Sequence, residues 1–409
     1  MPSKCKRACM VVYAFYESDT RVIQYAQALL GQGISVDVLS LGREGAPKFE
    51  IIDGVRVTRI QTRVVNERGK IAYLFRILRF AILTALVLAK RHFSVRYDIV
   101  HVHSVPDFLV FSAVVPKMFG ARVILDIHDI LPEFYASKFG ISHASLTFRA
   151  LVLVEKLSAR FADHVIIAND LWQERITARS VPARKCTTVI NYPDPSIFYS
   201  RSGSRTKRRF VFMYPGTLNW HQGLDVAIEA FAKAAKEMPD AEFHIYGEGP
   251  TREALIALSE QLGMAGRIRF FGFLPTREVA EKMAAADVAV VPKRASSAFG
   301  NEAASTKIME FMSLGVPVIV SRTRIDTHYH NDSRVQFVKS EDVNEFAQAM
   351  ARLYHDPELR KNLAFHASQY IATNNWADKK SEYLAIAGDE PVSTNYSHVA
   401  VVDALNREA

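Results

Sequence analysis

Residues 299–320, FGNEAASTKIMEFMSLGVPVIV, carry the pattern from which the fold can be predicted. The middle of this segment is amphipathic and predicts a helix that begins near Ser305 and ends before Gly315. The β-branched run 316–320 that follows is typical of a buried strand. A helix that leads through a glycine into a fully apolar strand is the repeating unit of a parallel sheet covered by helices.

The same alternation extends in both directions from this segment. In the first half of the chain, strands are predicted at 8–15, 34–41, 98–103, 122–126 and 164–168, and helices at 20–32, 70–90, 108–119, 145–161 and 170–179. In the second half, strands are predicted at 210–214, 242–246, 267–271, 288–291 and 316–320. Between the halves, 191–209 is rich in proline, serine and basic residues and predicts a linker. The sequence therefore predicts two α/β domains, 1–200 and 201–375, then a helix at 376–390 that returns to the first domain, and a tail at 391–409.

Composition and charge narrow the classes of protein. The chain has 409 residues, of which 49% are hydrophobic and 23% charged, so disorder, collagen and coiled coil are excluded. The net charge of +8 is concentrated in residues 1–200, which hold 26 basic and 17 acidic residues. The three cysteines, Cys5, Cys9 and Cys186, have no metal-site spacing and indicate a reducing compartment. The loop after the first strand has no GxGxxG pattern, and the chain has no GxxxxGK[ST], GxSxG, HExxH or DxD motif.

A basic and apolar segment stands out at 70–96. Ten Lys or Arg residues and one acid, Glu67, lie between Arg56 and Arg96, and the most apolar run, 80–89, is too short to cross a bilayer that needs ~20 residues. This composition suits a helix lying in the interface of an anionic membrane. The alternative is a helix that packs on the core with a solvated basic face.

The segment 299–320 also carries a specific motif, because Glu302 and Glu310 are separated by seven residues ahead of the strand. This spacing resembles the E-x7-E signature of the family-four retaining glycosyltransferases of GT-B fold. Eight further segments resemble that family in the expected order: 19–33, 98–103, 126–133 (DIHDILPE), 189–194 (VINYPD), 214–223 (YPGTLNWHQG), 246–250 (YGEGP), 270–274 (FFGFL) and 286–292 (ADVAVVP). The resemblance covers about residues 8–387 and implies two doubly wound Rossmann-like domains facing a cleft.

The resemblance implies roles for individual residues. His128 matches a histidine that contacts the donor sugar near its reacting end, and Glu302 is expected to accept hydrogen bonds from sugar hydroxyls. These two are the predicted catalytic residues. The other predicted donor-binding residues that match the family are Gly216, Gly247, Phe271, Leu274, Ala304, Ser305, Thr306 and Glu310. Three of these, residues 304–306, enter a helix N-terminus, which favours a diphosphate, and Glu310 is expected to hold the ribose diol.

One departure from the family concerns the cations that clamp the diphosphate. After the strand predicted at 210–214 the family has Arg and Lys, where this chain has Thr217 and Gln222, and Thr217 is still a predicted donor-binding residue. Lys307 is the predicted replacement, with Lys293 and Arg294 as further candidates, and surface cations without this role are the alternative. No metal ion is expected, because the chain has no DxD motif.

The sequence thus predicts a retaining, metal-independent hexosyltransferase without a cofactor. It is expected to use a UDP- or GDP-linked sugar and a glycan or lipid-linked acceptor in cell-surface polysaccharide or glycolipid assembly. A catalytically impaired subunit that binds the nucleotide sugar, and a GT-B sugar-nucleotide epimerase, stay open as alternatives. The expected location is the cytoplasm, on the inner face of the membrane through 70–96. Nucleic acid is not an expected partner, because no binding module is recognisable.

Overall fold

The computed structural model describes residues 6–63, 70–201 and 209–388. Residues 202–208 of the predicted linker, 389–390 at the end of the predicted returning helix and the tail 391–409 lie outside the described residues. The described chain forms two parallel sheets, each with helices on both faces. The predicted architecture of two doubly wound α/β domains is confirmed.

The N-terminal sheet has eight strands in the order β3-β4-β2-β1-β5-β6-β7-β8, and β3 is antiparallel to β4. The strands are β1 (Arg7–Phe15), β2 (Ser35–Gly42), β3 (Phe49–Ile52), β4 (Val55–Thr62), β5 (Ile99–His103), β6 (Arg122–Ile127), β7 (His164–Ile167) and β8 (Cys186–Thr188). The helices are α1 (Thr20–Gly31), α2 (Lys70–Val95), α3 (Val114–Met118), α4 (Leu131–Phe139), α5 (Leu146–Phe161) and α6 (Asp170–Arg179).

The C-terminal sheet has six parallel strands in the order β11-β10-β9-β12-β13-β14. They are β9 (Phe210–Pro215), β10 (Ala241–Tyr246), β11 (Ile268–Phe271), β12 (Val288–Val291), β13 (Val318–Ser321) and β14 (Gln336–Val338). The helices are α7 (Leu224–Ala234), α8 (Arg252–Gln261), α9 (Thr276–Ala284), α10 (Ala298–Glu302), α11 (Thr306–Ser313), α12 (Arg324–Tyr329), α13 (Val343–His355), α14 (Pro357–Ile371) and α15 (Trp376–Gly388). In each sheet the strand order reverses beside the first strand, and ligands of such sheets bind where the strands end at that point.

The last helix, α15, packs on the N-terminal domain. Tyr383 and Ile386 are buried in the same core cluster as Val22 of α1 and Val38 of β2. The hydroxyl of Tyr383 also lies 3.1 Å from Nδ1 of His101 in β5. The chain therefore crosses between the domains twice, which ties the position of one domain to that of the other.

Local differences from the prediction have identifiable causes. The predicted helix 108–119 is a 3₁₀ segment, Asp107–Ala113, followed by the short α3, because Pro116 lacks the N–H that a longer α-helix would need in that turn. The unpredicted hairpin β3–β4 turns at Asp53 and Gly54, both with positive φ. An Asp-Gly pair between two short apolar runs is itself a hairpin signal.

Helix α2 is longer than the apolar run within it. Its stretch Ala72–Val95 has the length and composition of a helix that could cross a membrane, with a best mean hydropathy of 1.9 and 22% of that window buried. One face packs on the core of the N-terminal domain through Ile77, Phe80 and Leu88. The opposite face exposes large apolar side chains, which are Leu74, Phe75, Leu78, Ile82, Leu86 and Phe93.

Candidate active site

The two domains contact each other next to the end of α10. Phe299 of α10 lies edge-on to Phe134 of α4, with ring centroids 5.2 Å apart, and 6.2 Å from the ring of Trp172 in α6. Beyond this contact, the hydroxyl of Tyr329 accepts a hydrogen bond of 2.9 Å from the backbone N–H of Asp170. These contacts hold the facing loops of the two domains close together.

A small cavity of about 90 Å³ lies between the domains. The N-terminal domain lines it with His128 and Trp172, and the C-terminal domain with Ala304, Ser305 and Thr306. The structure thus brings the predicted histidine loop and the predicted helix N-terminus to the same cavity, although they are far apart in the chain.

The N-terminus of α11 is open toward this cavity. Ser305 is the N-cap residue, but its side chain accepts no hydrogen bond from the first turn, and its Oγ is buried without a partner among the described residues. The first N–H groups of a helix have no partner within the helix. An anionic group in the cavity could accept hydrogen bonds from them and from Ser305.

His128 is held in place by Asp126, a fully buried residue of β6. Arg21 of α1 donates from Nε to Oδ2 of Asp126 at 2.8 Å and from Nη2 to Oδ1 at 2.7 Å. Nδ1 of His103 and Nε2 of His128 lie 3.1 and 2.9 Å from Oδ2. Because Nε2 of His128 faces Asp126, its Nδ1 is the nitrogen available to a ligand.

Burial and hydrogen bonding set the pKa values of His128, Asp126 and His103. Burial by itself lowers the pKa of His128, but Asp126 opposes this so strongly that the pKa is raised above its usual value. Burial would raise the pKa of Asp126, yet Arg21 and His128 hold it well below its usual range. For His103, burial prevails and lowers the pKa. His128 is therefore the histidine of this pair that holds a proton more readily.

His101, His103 and Asp126 form a buried cluster of residue types that can bind a metal ion. Ligand atoms of His101, His103 and Asp126 lie within 4.8 Å of one another. The guanidinium of Arg21 already pairs with both oxygens of Asp126, so a metal ion there would lie against a fixed positive charge. This chemistry fits a hydrogen-bonded network better than a metal centre.

Glu302, the last residue of α10, lies beside the cavity at the contact between the domains. Its Oε1 accepts hydrogen bonds from Arg175 of α6 at 2.6 Å and from Arg324 at 3.2 Å. Its backbone carbonyl accepts a hydrogen bond of 3.2 Å from the side chain of Asn169. In this conformation the Glu302 carboxylate is therefore bound by two guanidinium groups, one of them from the opposite domain.

Lys307 lies against the glycine turn after β9. A Cβ at Gly216, where φ is +142°, would overlap Cε of Lys307. A Cβ at Gly247, where φ is +134°, would overlap the carbonyl oxygen of Gly216. The two glycines thus let the chain pass closely enough for Lys307 to reach the strand ends.

The charge of Lys307 is only partly balanced. Burial lowers its pKa, Glu310 opposes this effect and Lys293 adds to it. For Glu310, burial raises the pKa, while Lys307 and Thr306 oppose the rise. Within the part of the chain that the structure describes, no carboxylate lies within 4 Å of the Lys307 ammonium. Lys307 is therefore a partly buried cation suited to an anionic ligand.

The two other predicted cations have protein partners. Nζ of Lys293 lies 2.8 Å from Asp326 and donates to the carbonyl of Ala303 at 2.8 Å. Arg294 forms an ion pair with Asp225 and a second one of 2.6 Å with Glu341. These pairs fix the loop after β12, so Lys293 and Arg294 have less charge to offer a ligand than Lys307 has.

The remaining predicted residues lie at the ends of β9 and β11. Phe271, the last residue of β11, stacks on Tyr246 with ring centroids 4.5 Å apart, and Leu274 packs on the core next to it. Thr217 is exposed, and its carbonyl accepts a hydrogen bond of 3.0 Å from the hydroxyl of Tyr214. All three lie near the edge where the strands of the C-terminal sheet end.

Several residues of this site have no role that could be assigned from the sequence. Arg21, Asp126 and Arg175 are polar residues that position His128 or Glu302, and His330 lines the cavity with its Nδ1 buried and unpartnered among the described residues. An acid next to the end of an apolar strand, as Asp126 is in β6, was a usable signal. The partner of that acid lies 105 residues away in the chain, which no local pattern could indicate.

Proteins with similar sequences and structures include glycosyltransferases. The family model described as "Glycosyl transferase 4-like domain" matches residues 18–191, and the one described as "Glycosyl transferases group 1" matches residues 197–369. A D-inositol 3-phosphate glycosyltransferase of Thermomonospora curvata is 25% identical over 384 residues, which is 87% of this chain and 86% of that protein.

Solved structures show the same fold. The sucrose-phosphate synthase of Thermosynechococcus elongatus superposes with a TM-score of 0.74 at 17% identity, covering 94% of this chain and 98% of that one. The Anabaena HepE protein in complex with UDP-glucose superposes with a TM-score of 0.66 at 14% identity, covering 93% and 99%. At these identities the likeness concerns the arrangement of the two domains.

Proposed function

Because the chain belongs to the family-four glycosyltransferases of the GT-B type, we propose that it is a retaining hexosyltransferase. The donor is a UDP- or GDP-linked sugar, and the acceptor is a glycan or lipid-linked sugar of cell-surface polysaccharide or glycolipid assembly. The observation that carries the proposal is the shared cavity, in which His128 of one domain faces the open N-terminus of α11 in the other. Curated relatives named for colanic acid biosynthesis support the polysaccharide assignment.

The donor diphosphate is proposed to bind between the N-terminus of α11 and Lys307. Leaving-group charge builds on the diphosphate in the transition state, and preorganised donors stabilise it best. The α11 N–H groups and the Lys307 ammonium supply such donors, so Lys307 takes the place of the cations absent at Thr217 and Gln222. This arrangement supports a reaction that needs no metal ion and no cofactor.

The reacting sugar is proposed to lie between His128 and Glu302. Nδ1 of His128 faces the sugar, while Asp126 and Arg21 fix the ring from the other side. Glu302 accepts hydrogen bonds from sugar hydroxyls once Arg175 releases it. Neither Glu302, whose carboxylate is held by Arg175 and Arg324, nor Glu310 is proposed as a covalent nucleophile, so we favour attack of the acceptor on the face from which the diphosphate leaves.

Donor entry requires the domains to move apart. The cavity of about 90 Å³ is far smaller than the roughly 300–1,000 Å³ typical of ligand sites. The Glu302–Arg175 pair and the packing of Phe299 close it. We propose that the domains open to admit the donor and close to exclude water, which limits wasteful hydrolysis.

Peripheral attachment to the inner face of the cytoplasmic membrane is proposed for the N-terminal domain. Helix α2 exposes an apolar ridge, with Phe75 at 69% and Leu86 at 63% exposure. At about 100° per residue, Arg76, Arg79 and Lys90 project along one flank of that ridge. A ridge of this kind fits an interface with anionic headgroups.

The decisive test is a panel of UDP- and GDP-linked sugars with release of the nucleoside diphosphate as readout. Turnover is expected with one class of nucleotide sugar. It should fall by at least ~100-fold in Glu302→Gln, which is the loss typical of removing one hydrogen-bonding group that stabilises a transition state. The exposed Glu253→Gln on α8 is the matched control.

Each alternative gives a different result in this panel. Saturable binding without turnover would indicate the impaired subunit, and interconversion of the donor sugar would indicate the epimerase. Retention is checked by the anomeric configuration of the product in NMR spectra, where an inverted product would contradict the mechanism.

A further inference from the structure

A second cavity, of about 520 Å³, lies in the N-terminal domain. It is bounded by the C-terminal part of α2 and by the first residues of β1, β2 and β4, among them Arg7, Asp37 and Arg56. The strands run parallel, so these first residues lie at the edge of the sheet opposite His128, which follows the end of β6. The cavity is therefore separate from the candidate active site.

The cavity is strongly cationic. Its lining includes four basic side chains, Arg7, Arg56, Lys90 and Arg91, and a single carboxylate, Asp37. Asp37 is already engaged, because it accepts hydrogen bonds from Arg56 at 2.5 Å and from the hydroxyl of Tyr97 at 2.6 Å.

The side chains of the other three cations form no ion pair among the described residues, although the backbone N–H of Arg7 donates to the carboxylate of Asp98 at 2.8 Å. Arg91 donates to the hydroxyl of Thr58 at 2.8 Å, which is a neutral acceptor. Among the residues that the structure describes, no carboxylate lies within 4 Å of the side-chain nitrogens of Arg7, Lys90 or Arg91. An anion bound in this cavity would be attracted by three positively charged side chains, and it would reduce the repulsion among them.

The walls of the cavity are apolar and exposed. Phe49 of β3 lines it and is 53% exposed, and Ile51, two residues further on the same face of the strand, is 63% exposed. On the other side, α2 contributes Val87 and continues into the exposed Leu86 and Phe93. A free phosphate would leave these apolar side chains exposed to water. A phosphate attached to a glycerol backbone and acyl chains would bury them.

We infer that this cavity binds the phosphate group of an anionic phospholipid. This inference rests on the proposed attachment of the N-terminal domain to a membrane and gives that attachment a defined headgroup site. The phosphate lies among Arg7, Lys90 and Arg91, and the proximal part of the acyl chains lies between Phe49 and the α2 ridge. The site would orient the domain, because it lies at one end of the 26-residue helix.

The test uses the full chain and short-chain lipids below the concentration at which they form micelles. Isothermal titration calorimetry with dihexanoyl-phosphatidylglycerol should show saturable binding. The double variant Arg7→Gln/Lys90→Gln should weaken it by about 30-fold, as expected for two cations at a membrane surface. The matched control is Lys236→Gln/Lys361→Gln, which removes the same charge from exposed positions of the C-terminal domain.

Two competing ligands distinguish a lipid phosphate from a free phosphate. Dihexanoyl-phosphatidylcholine and glycerol 1-phosphate should not compete with the anionic lipid. Equal binding of glycerol 1-phosphate would make the cavity a free-phosphate site and overturn the lipid assignment. Absence of saturable binding, or an equal loss in the control pair, would also overturn it, because the attraction would then be absent or diffuse.

Donor hydrolysis, measured on the same preparations, keeps the two proposals apart. The Arg7→Gln/Lys90→Gln variant should hydrolyse the donor at the wild-type rate, because the cavity is remote from His128. Lipid binding without any donor turnover would reject the proposed hexosyltransferase and leave the headgroup site standing.

Discussion

Replacing Lys307 with methionine should weaken the binding of the nucleoside diphosphate that the donor panel identifies, for which UDP stands below. Methionine reproduces the lysine side chain as far as Cε, the atom that packs against Gly216, so the substitution removes the ammonium and keeps the stem. The glycine turn and the start of α11 should therefore keep their positions. The substitution isolates the charge that we propose in place of the cations absent at Thr217 and Gln222.

The magnitude follows from the surroundings of Lys307. A hydrogen bond to a charged group contributes about 1.5–3 kcal/mol, which corresponds to a loss of UDP affinity of about 10- to 150-fold. The upper part of this range applies when the ammonium is sheltered from solvent; Lys307 is partly buried, and this burial lowers its pKa. A surface cation would change the affinity by less than about 5-fold.

Calorimetric titration of UDP into the wild-type protein and into Lys307→Met measures this loss. Lys282→Met on α9, an exposed lysine, serves as the control and should leave the affinity unchanged. The double variant Lys307→Met/Gln222→Lys should recover part of the affinity, because it places a cation where the family has one.

The pH dependence gives a second readout. Only the protonated amine attracts the diphosphate, so UDP affinity should fall as pH rises through the lowered pKa of Lys307, and Lys307→Met should lack that fall. Unchanged UDP affinity in Lys307→Met, with wild-type thermal unfolding, would refute the assignment and redirect it to Lys293 or Arg294.

Three further predictions concern buried or closely packed residues. Asp126→Asn should lower the free energy of unfolding in urea at pH 7 by about 3–5 kcal/mol, because it leaves the buried Arg21 without its partner; a change below 1 kcal/mol would contradict the network. Burial, reinforced by Glu155, raises the pKa of Asp107 to about 7 from 3.8, so the folded state keeps a proton that the unfolded state loses. The free energy of unfolding should therefore fall as pH rises from about 4 to about 7, and Asp107→Asn should flatten that slope. Gly247→Ala should destabilise the protein by more than about 1 kcal/mol and impair UDP binding, whereas Gly31→Ala, with open space around it, should be neutral or stabilising in thermal unfolding.

Much of the fold could be predicted because it depends on local periodicity. Ten of the fourteen described strands could be predicted, because most of them are apolar runs that need no tertiary information to be recognised, whereas β8 and β14, with three residues each, are too short to show such a pattern. The hairpin β3–β4 escaped prediction because its strands carry charges such as Glu50 and Arg59 that pair with one another in space. An alternation of polar and apolar residues is weaker evidence than a fully apolar run.

In the candidate site, too, some features could be predicted from the sequence and others could not. Its glycines and the helix start at Ser305 are features of short segments, so their positions could be predicted. The partners of Glu302 could not, because Arg175 is 127 residues away and comes from the other domain. Neither could the difference between Lys307 and its neighbour Lys293, which is neutralised by Asp326.

By itself, the sequence determined the two-sheet architecture, the family and the short motifs that the strand ends carry, because these depend on residue type and local spacing. Only the tertiary structure decided which charged side chains form ion pairs within the protein and which can bind a ligand. It paired Asp126 with Arg21 and Lys293 with Asp326, and it left Lys307 in the proposed donor site and Arg7 and Lys90 in the second cavity without carboxylate partners among the described residues. Electrostatic pairing acts over a few ångströms in space, and the distance along the chain does not constrain it.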